Sequence, residues 1–145
     1  MVRVNLIPPK FLSDQHLVAE YYEIAMLAGY VARFPSLKDV PSHFRLGEGH
    51  MKFFKDKILY LARRHAMIRE EMAKRGFKST IALRTEDFDS RHLNDWSPGR
   101  EDLDLVRERL VEKIMLKKDC FYRYYGRGMS RDEMIRIIES SRDLG

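Results

Sequence analysis

The chain has 145 residues, 44% hydrophobic and 34% charged, the balance of a single globular domain with a real core and too short for two comfortable ones. No stretch approaches the roughly 18 apolar residues of a membrane span, and the start lacks the apolar run and small-residue cleavage site of a signal peptide, so Met1 is expected to begin the functional chain. Cys120 is the only cysteine, which excludes an internal disulfide and a thiolate-rich zinc site and suits a reducing cytoplasm.

In chain order, residues 2–11 read as an extended start. Ser13 then caps a helix running to about Arg33, with Leu17, Tyr21, Ile24, Ala28 and Val31 forming one apolar stripe. "FPSLKDVPSHF" is a proline-containing connection. A second helix is predicted from near Gly49 to about Arg75, with Gly76 as its stop signal and Met51, Phe54, Ile58, Leu61, His65, Ile68 and Met72 on its inner face. Residues 77–100 lack sustained periodicity. A third helix spans about 101–118 with Leu103, Val106, Leu110 and Ile114 inward. After the aromatic and basic segment "CFYRYYGRG", the box Ser130–Glu133 opens a last helix through Met134, Ile137 and Ile138. The expectation is one all-α domain, residues 1–128, with residues 129–145 as its helical extension.

Lysine and arginine number 27 against 22 acidic residues, a net charge of +5, which favours a polyanionic partner because neutralising phosphates releases counterions. Three segments are candidates to meet it. On the first helix His16, Glu20 and Glu23 share one flank of the apolar stripe. By spacing alone they form a solvated polar face, the reading preferred for Glu20; a docked N-terminus would let Glu23 act as a general acid or base. In "RLGEGHMKFFKDK", Gly47 and Gly49 permit a tight turn into a helix start, and Arg45, His50, Lys52 and Lys55 surround it with positive charge. That turn is either a phosphate site or a plain helix entry with His50 as a capping or packing residue. In "FYRYYGRG", Phe121, Tyr122, Tyr124 and Tyr125 interleave with Arg123 and Arg127, joining stacking surfaces to cations, although at least two of the four rings are expected to pack inward. Arg109 and Lys113, one turn apart, either extend that surface or form a charged solvent stripe with Glu112. His65 reads as a satisfied core histidine, and His43 and His92 have no metal-ligand spacing.

Together these segments resemble the pyrimidine-dimer DNA glycosylase family. The marks are "M-x-R-x-NL" at the start, "DQHL-x-AEY-x-E" on the first helix, "LG-x-GH-x-x-FF-x-DK" opening the second, "KRGF" ending it and "YYG" near the end. The likeness covers roughly residues 1–78 and resumes around 105–127. It implies a compact all-α domain of three main helices with the N-terminal segment threaded between them. It also implies a cofactor-free enzyme that works in two steps: cleavage of the glycosidic bond of a UV-damaged pyrimidine, then strand scission by β-elimination. Its nucleophile would be the α-amine of Val2, exposed by removal of the initiator methionine, with Glu23 as the acid/base carboxylate and Arg3 beside it. Gln15, His16, Tyr21, Arg109, Lys113 and the segment Tyr124 to Arg127 match regions that contact the DNA backbone or the nucleotide extruded opposite the lesion. The implied partner is double-stranded DNA with damaged pyrimidines, bound by a monomer near the nucleoid, with no metal. Tyr22 and Met26 stand where the family's best-known member has arginines. The alternatives are a glycosylase or abasic-site lyase for another lesion, or a non-catalytic DNA-binding module on the same scaffold.

Overall fold

The hydroxyl oxygen of Ser13 accepts the backbone N–H of His16 at 3.0 Å and so pairs one of the donors that every helix start leaves open. That cap begins α1 (Asp14–Arg33). The computed structural model describes residues 3–144. It continues through α2 (His50–Phe53), α3 (Ile58–Lys74), α4 (Arg100–Met115) and α5 (Arg131–Ser140). Between α4 and α5 lies a hairpin of two-residue strands, β1 (Arg123–Tyr124) and β2 (Arg127–Gly128), antiparallel with Arg123 opposite Gly128 and Tyr124 opposite Arg127. The architecture is all-α, as the periodicity predicts. The cap and box at Ser130 also form as expected, Ser130 and Glu133 each receiving the other's backbone N–H.

The apolar stripes of α1, α3 and α4 meet in one core, and α1 with α3 is its principal helix pair. Val4, Leu6 and Ile7 run through this core almost fully buried. Their backbone polar groups therefore need internal partners. Nε2 of His50 accepts the Val4 N–H at 3.0 Å, and Arg64 donates to the Ile7 carbonyl. Met134 and Ile138 of α5 join the same core, and α5 is held to α4 by Arg107, which donates to the Ser141 hydroxyl and carbonyl.

Two expectations are corrected. The helix predicted from Gly49 to Arg75 is broken: α2 gives way to the 3-10 turn Phe54–Asp56, and Lys57 leaves helical geometry at φ −130°, ψ 40°. The break lets the adjacent Phe53 and Phe54 both bury, in a cluster of ring contacts with Phe44 and Trp96 that a straight helix would point apart. The Lys57 backbone instead forms a bridge to Leu93, which anchors the irregular 77–99 segment. Second, Glu20 is not on a solvated face. It is 0% exposed, and Arg64 of α3 grips it with two hydrogen bonds of 2.8 and 3.1 Å.

A further network seats the hairpin. The Asp14 carboxylate accepts the N–H groups of Tyr125 and Gly126 and pairs with Arg75 at 2.9 Å, while Arg75 also pairs with Glu71, which accepts the Tyr125 hydroxyl. Tyr125 and Gly126 have φ of 53° and 80°, as a two-residue hairpin turn requires. Tyrosine is an uncommon residue in that region, and its position is fixed by bonds at both its backbone and its hydroxyl. Of the four rings in this segment, Tyr122 is buried, Tyr124 is half-buried, and Phe121 and Tyr125 are exposed.

Arg64→Met leaves the Glu20 carboxylate buried without its partner, and urea denaturation should record a loss of about 3–5 kcal/mol. Replacing both members, Glu20→Leu with Arg64→Met, should cost clearly less, because the greater penalty belongs to the stranded charge rather than to the missing pair.

Candidate active site

Helical geometry places His16, Ala19 and Glu23 along one edge of α1. α4 brings Arg109, Leu110 and Lys113 opposite them, and the buried N-terminal segment contributes Arg3 and Asn5. These eight residues line a cavity of about 170 Å³. Arg3, His16, Glu23, Arg109 and Lys113, read separately in the sequence, thus share one small space. Val2 lies outside the described residues.

The electrostatics of the cavity follow from burial. Glu23 is half-buried, and its carboxyl is pushed up to about 7, first by desolvation and then by the neighbouring Glu20 carboxylate; Arg3 and Arg109 oppose the shift. It therefore has comparable acid and base forms at neutral pH, the condition under which one group can both give and take a proton. His16 is held down to about 4 by burial and then by Arg109, Lys113 and Arg3, so it is neutral. Its ring stacks on Tyr122 at 4.7 Å. Arg109 is brought down to about 10, chiefly by burial and then by Arg3, yet remains a cation at neutral pH. Its spacing predicts a nucleic-acid surface or a solvent stripe; instead it is 8% exposed and donates to Asn5 Oδ1 at 3.3 Å. Arg3, Arg109 and Lys113 form no salt bridge among the described residues. A cavity with three cations and one half-titrated carboxyl is suited to an anionic substrate undergoing proton transfer.

Beside this cavity, and sharing Ala19 with it, an apolar groove of about 530 Å³ runs between Gln15, Val18, Phe77, Arg123 and Gly126. Gln15 fixes one wall by donating to the Phe121 carbonyl at 2.7 Å and accepting the Arg123 N–H at 2.9 Å. The side chains of Arg123 and Arg127 are exposed on the hairpin, while the Tyr124 hydroxyl is committed to the Lys10 carbonyl. Tyr22 and Met26 project from α1 at 52% and 63% exposure, which leaves this stretch of the helix surface without a cation.

The glycine turn is not part of the cavity. Gly47 and Gly49 adopt φ of 66° and 90°, and a Cβ at Gly49 would lie 2.7 Å from the Arg45 side chain. The turn aims His50 inward, where Nδ1 donates to the Arg45 carbonyl and Nε2 accepts from Val4. With both ring nitrogens used and the ring 2% exposed, His50 has no edge left for a phosphate; of the two sequence readings, packing is the one it adopts. Arg45 is exposed, and Lys52 lies 3.5 Å from Asp39. Tyr21 is also internal, its hydroxyl accepting the N–H groups of Thr80 and Ile81. Asn5 joins the cavity without being singled out by spacing, although a lone amide within the apolar run "VNLI" is a readable signal that something polar must meet it.

The family model described as pyrimidine dimer DNA glycosylase matches residues 1–85, more than half of the chain. The matched span contains Arg3, Asn5, His16, Ala19 and Glu23 of the cavity; α4 and the hairpin lie beyond it.

The raised Glu23 carboxyl has a consequence for stability. Its folded-state value of about 7 lies above the ordinary 4.5, so the folded state binds the proton more tightly and loses stability as pH rises between those values. Glu23→Gln should therefore be more stable than the parent at pH 8, by on the order of 1 kcal/mol after allowing for solvent screening. The difference should close as the pH falls below 4.5. Denaturation curves at a series of pH values provide the check.

Proposed function

The chain belongs to the pyrimidine dimer DNA glycosylase family, and on that premise we propose that it releases damaged pyrimidines from duplex DNA and then nicks the strand as an abasic-site lyase, with the α-amine of Val2 as nucleophile. The observation that carries this reading is the half-titrated Glu23 in a cavity ringed by Arg3, Arg109 and Lys113. Arg3 adjoins residue 2 in the chain, and consecutive Cα atoms are only about 3.8 Å apart.

In this reading the neutral amine attacks C1′ of the damaged nucleotide. The N–C1′ bond forms as the glycosidic bond breaks, and the base departs with the bonding electron pair and acquires a proton. Opening of the sugar at O4′, with proton transfer assisted by Glu23, leaves an imine. The imine acidifies the C2′ hydrogen; its removal by a base, again Glu23, expels the 3′ phosphate with the C3′–O electron pair. A terminal amine suits the first step because its reference pKa of about 7.7–8.0 leaves far more neutral amine than a lysine of about 10.4. The adjacent Arg3 would disfavour its ammonium form further. Lys113, Arg123 and Arg127, with Arg45 and Lys52 further out, are assigned to phosphates, and the groove beside Gln15 to the nucleotide extruded opposite the lesion. His50, Gly47, Gly49 and Tyr21 are assigned to the scaffold that holds these groups.

A second reading, a different lesion preference on the same chemistry, is favoured by Tyr22 and Met26, whose exposed apolar side chains offer contact to bases rather than to phosphates. Parallel assays on UV-irradiated and on abasic duplexes separate it from the first.

Glu23→Gln should abolish base release while leaving DNA affinity nearly unchanged, since the amide can neither give nor take the proton. Glycosylase assays and binding titrations on one lesion duplex test this, and base release within about tenfold of the parent would remove Glu23 from the acid/base role.

The nucleophile is tested by trapping. Protein starting at Val2 should give a borohydride-stable adduct with abasic or UV-damaged DNA, and mass spectrometry should map it to the Val2 nitrogen. An acetylated or extended terminus should bind the same DNA and trap poorly. Adduct on a lysine, or full trapping by the blocked protein, would refute the α-amine.

A further inference from the structure

Ser13 has a second partner besides the backbone N–H it caps. Its oxygen lies 3.1 Å from Nδ1 of the His16 ring. The residue is 0% exposed, so water does not reach the hydroxyl, and its hydrogen-bond partners among the described residues are the His16 N–H and Nδ1. A hydroxyl carries one donor and two acceptor positions. The backbone N–H takes one acceptor position. Were Nδ1 also to donate, the hydroxyl proton would be buried without an acceptor, at the cost such groups carry. The satisfied arrangement has the hydroxyl donating to Nδ1, which leaves the ring proton on Nε2, the edge away from the helix cap.

We propose that Ser13 is a positioning residue that fixes His16 as the neutral Nε2–H tautomer, giving the cavity a hydrogen-bond donor without a charge for an acceptor oxygen of the bound sugar–phosphate. Its role in the reaction rests on the glycosylase reading above; the tautomer does not. The surroundings explain why neutrality is useful. His16 shares the cavity with Arg3, Arg109, Lys113 and Glu23 and stacks on Tyr122. A fourth cation there would draw Glu23 toward its ionised form and remove the proton it is poised to give. Burial and the three cations already hold His16 neutral, and the Ser13 hydroxyl decides which nitrogen bears the proton.

The test uses the full chain. Long-range 1H–15N correlation at neutral pH distinguishes a protonated from an unprotonated ring nitrogen directly; the expected pattern for His16 is unprotonated Nδ1 and protonated Nε2. S13T retains both cap and donor and should preserve the pattern, with base release within about threefold of the parent. S13D remains a good helix cap but can only accept. It should move the proton to Nδ1 or charge the ring, and lower base release by about tenfold. His16 found charged or as Nδ1–H in the parent protein would overturn the proposal, as would an unchanged tautomer in S13D. If S13D does not fold, the spectrum of the parent decides alone. An altered tautomer in S13D with base release at the parent level would overturn the donor's role in the reaction. Absence of base release and of strand nicking by the parent protein on UV-irradiated and abasic duplexes would instead count against the glycosylase reading, and leave the tautomer assignment intact.

Discussion

The buried Arg64 guanidinium is the constraint on which the remaining geometry depends. It holds Glu20 of α1 through two hydrogen bonds and the Ile7 carbonyl through a third. One side chain of α3 thus fixes both the rotation of α1 about its axis and the depth of the N-terminal segment. Removing two charges from water is expensive, and replacement of such pairs by apolar residues is often neutral or stabilising. Here the arrangement also fixes a relation between three segments, and apolar contacts, which are not directional, specify such a relation less sharply.

The site inherits its chemistry from that arrangement. Glu20 and Glu23 lie one helical turn apart. The first is paired with Arg64, and its proximity helps to keep a proton on the second. His50 secures the same N-terminal segment at a second point by accepting the Val4 N–H. Arg3 is carried by a strand of chain held at Val4 and Ile7, rather than by a free terminus. The catalytic role proposed for Arg3 would require such support, because a side chain displaced by about an ångström loses much of its effect.

A second set of bonds performs the same service for the hairpin. Asp14, Glu71 and Arg75 come from the start of α1 and the end of α3, and between them they bind the backbone and the hydroxyl of Tyr125. The exposed Arg123 and Arg127 are therefore mounted on a fixed turn beside the groove rather than on a loose loop. Less of their ordering entropy remains to be lost when an anion binds.

Local signals were readable from the sequence because they depend on near neighbours. The caps at Ser13 and Ser130, the stripes of α1 and α4 and the all-α class follow from propensity and periodicity over a few residues. The motif order also carries the family resemblance and, with it, links Arg3 to Glu23. The break at Lys57 was not legible, since it is stabilised by aromatic packing with Phe44 and Trp96 from remote loops. Neither were the burial of Arg109 and the inward use of His50. Glu20 and Glu23 make the point most directly: they share a helix and one flank of it, and periodicity gives them the same environment. One is sealed inside and the other opens on a cavity because Arg64 meets Glu20 from 44 residues away. Sequence spacing sets which face a side chain occupies; only the tertiary structure supplies the partner that decides whether a charge there is buried, and in which protonation state.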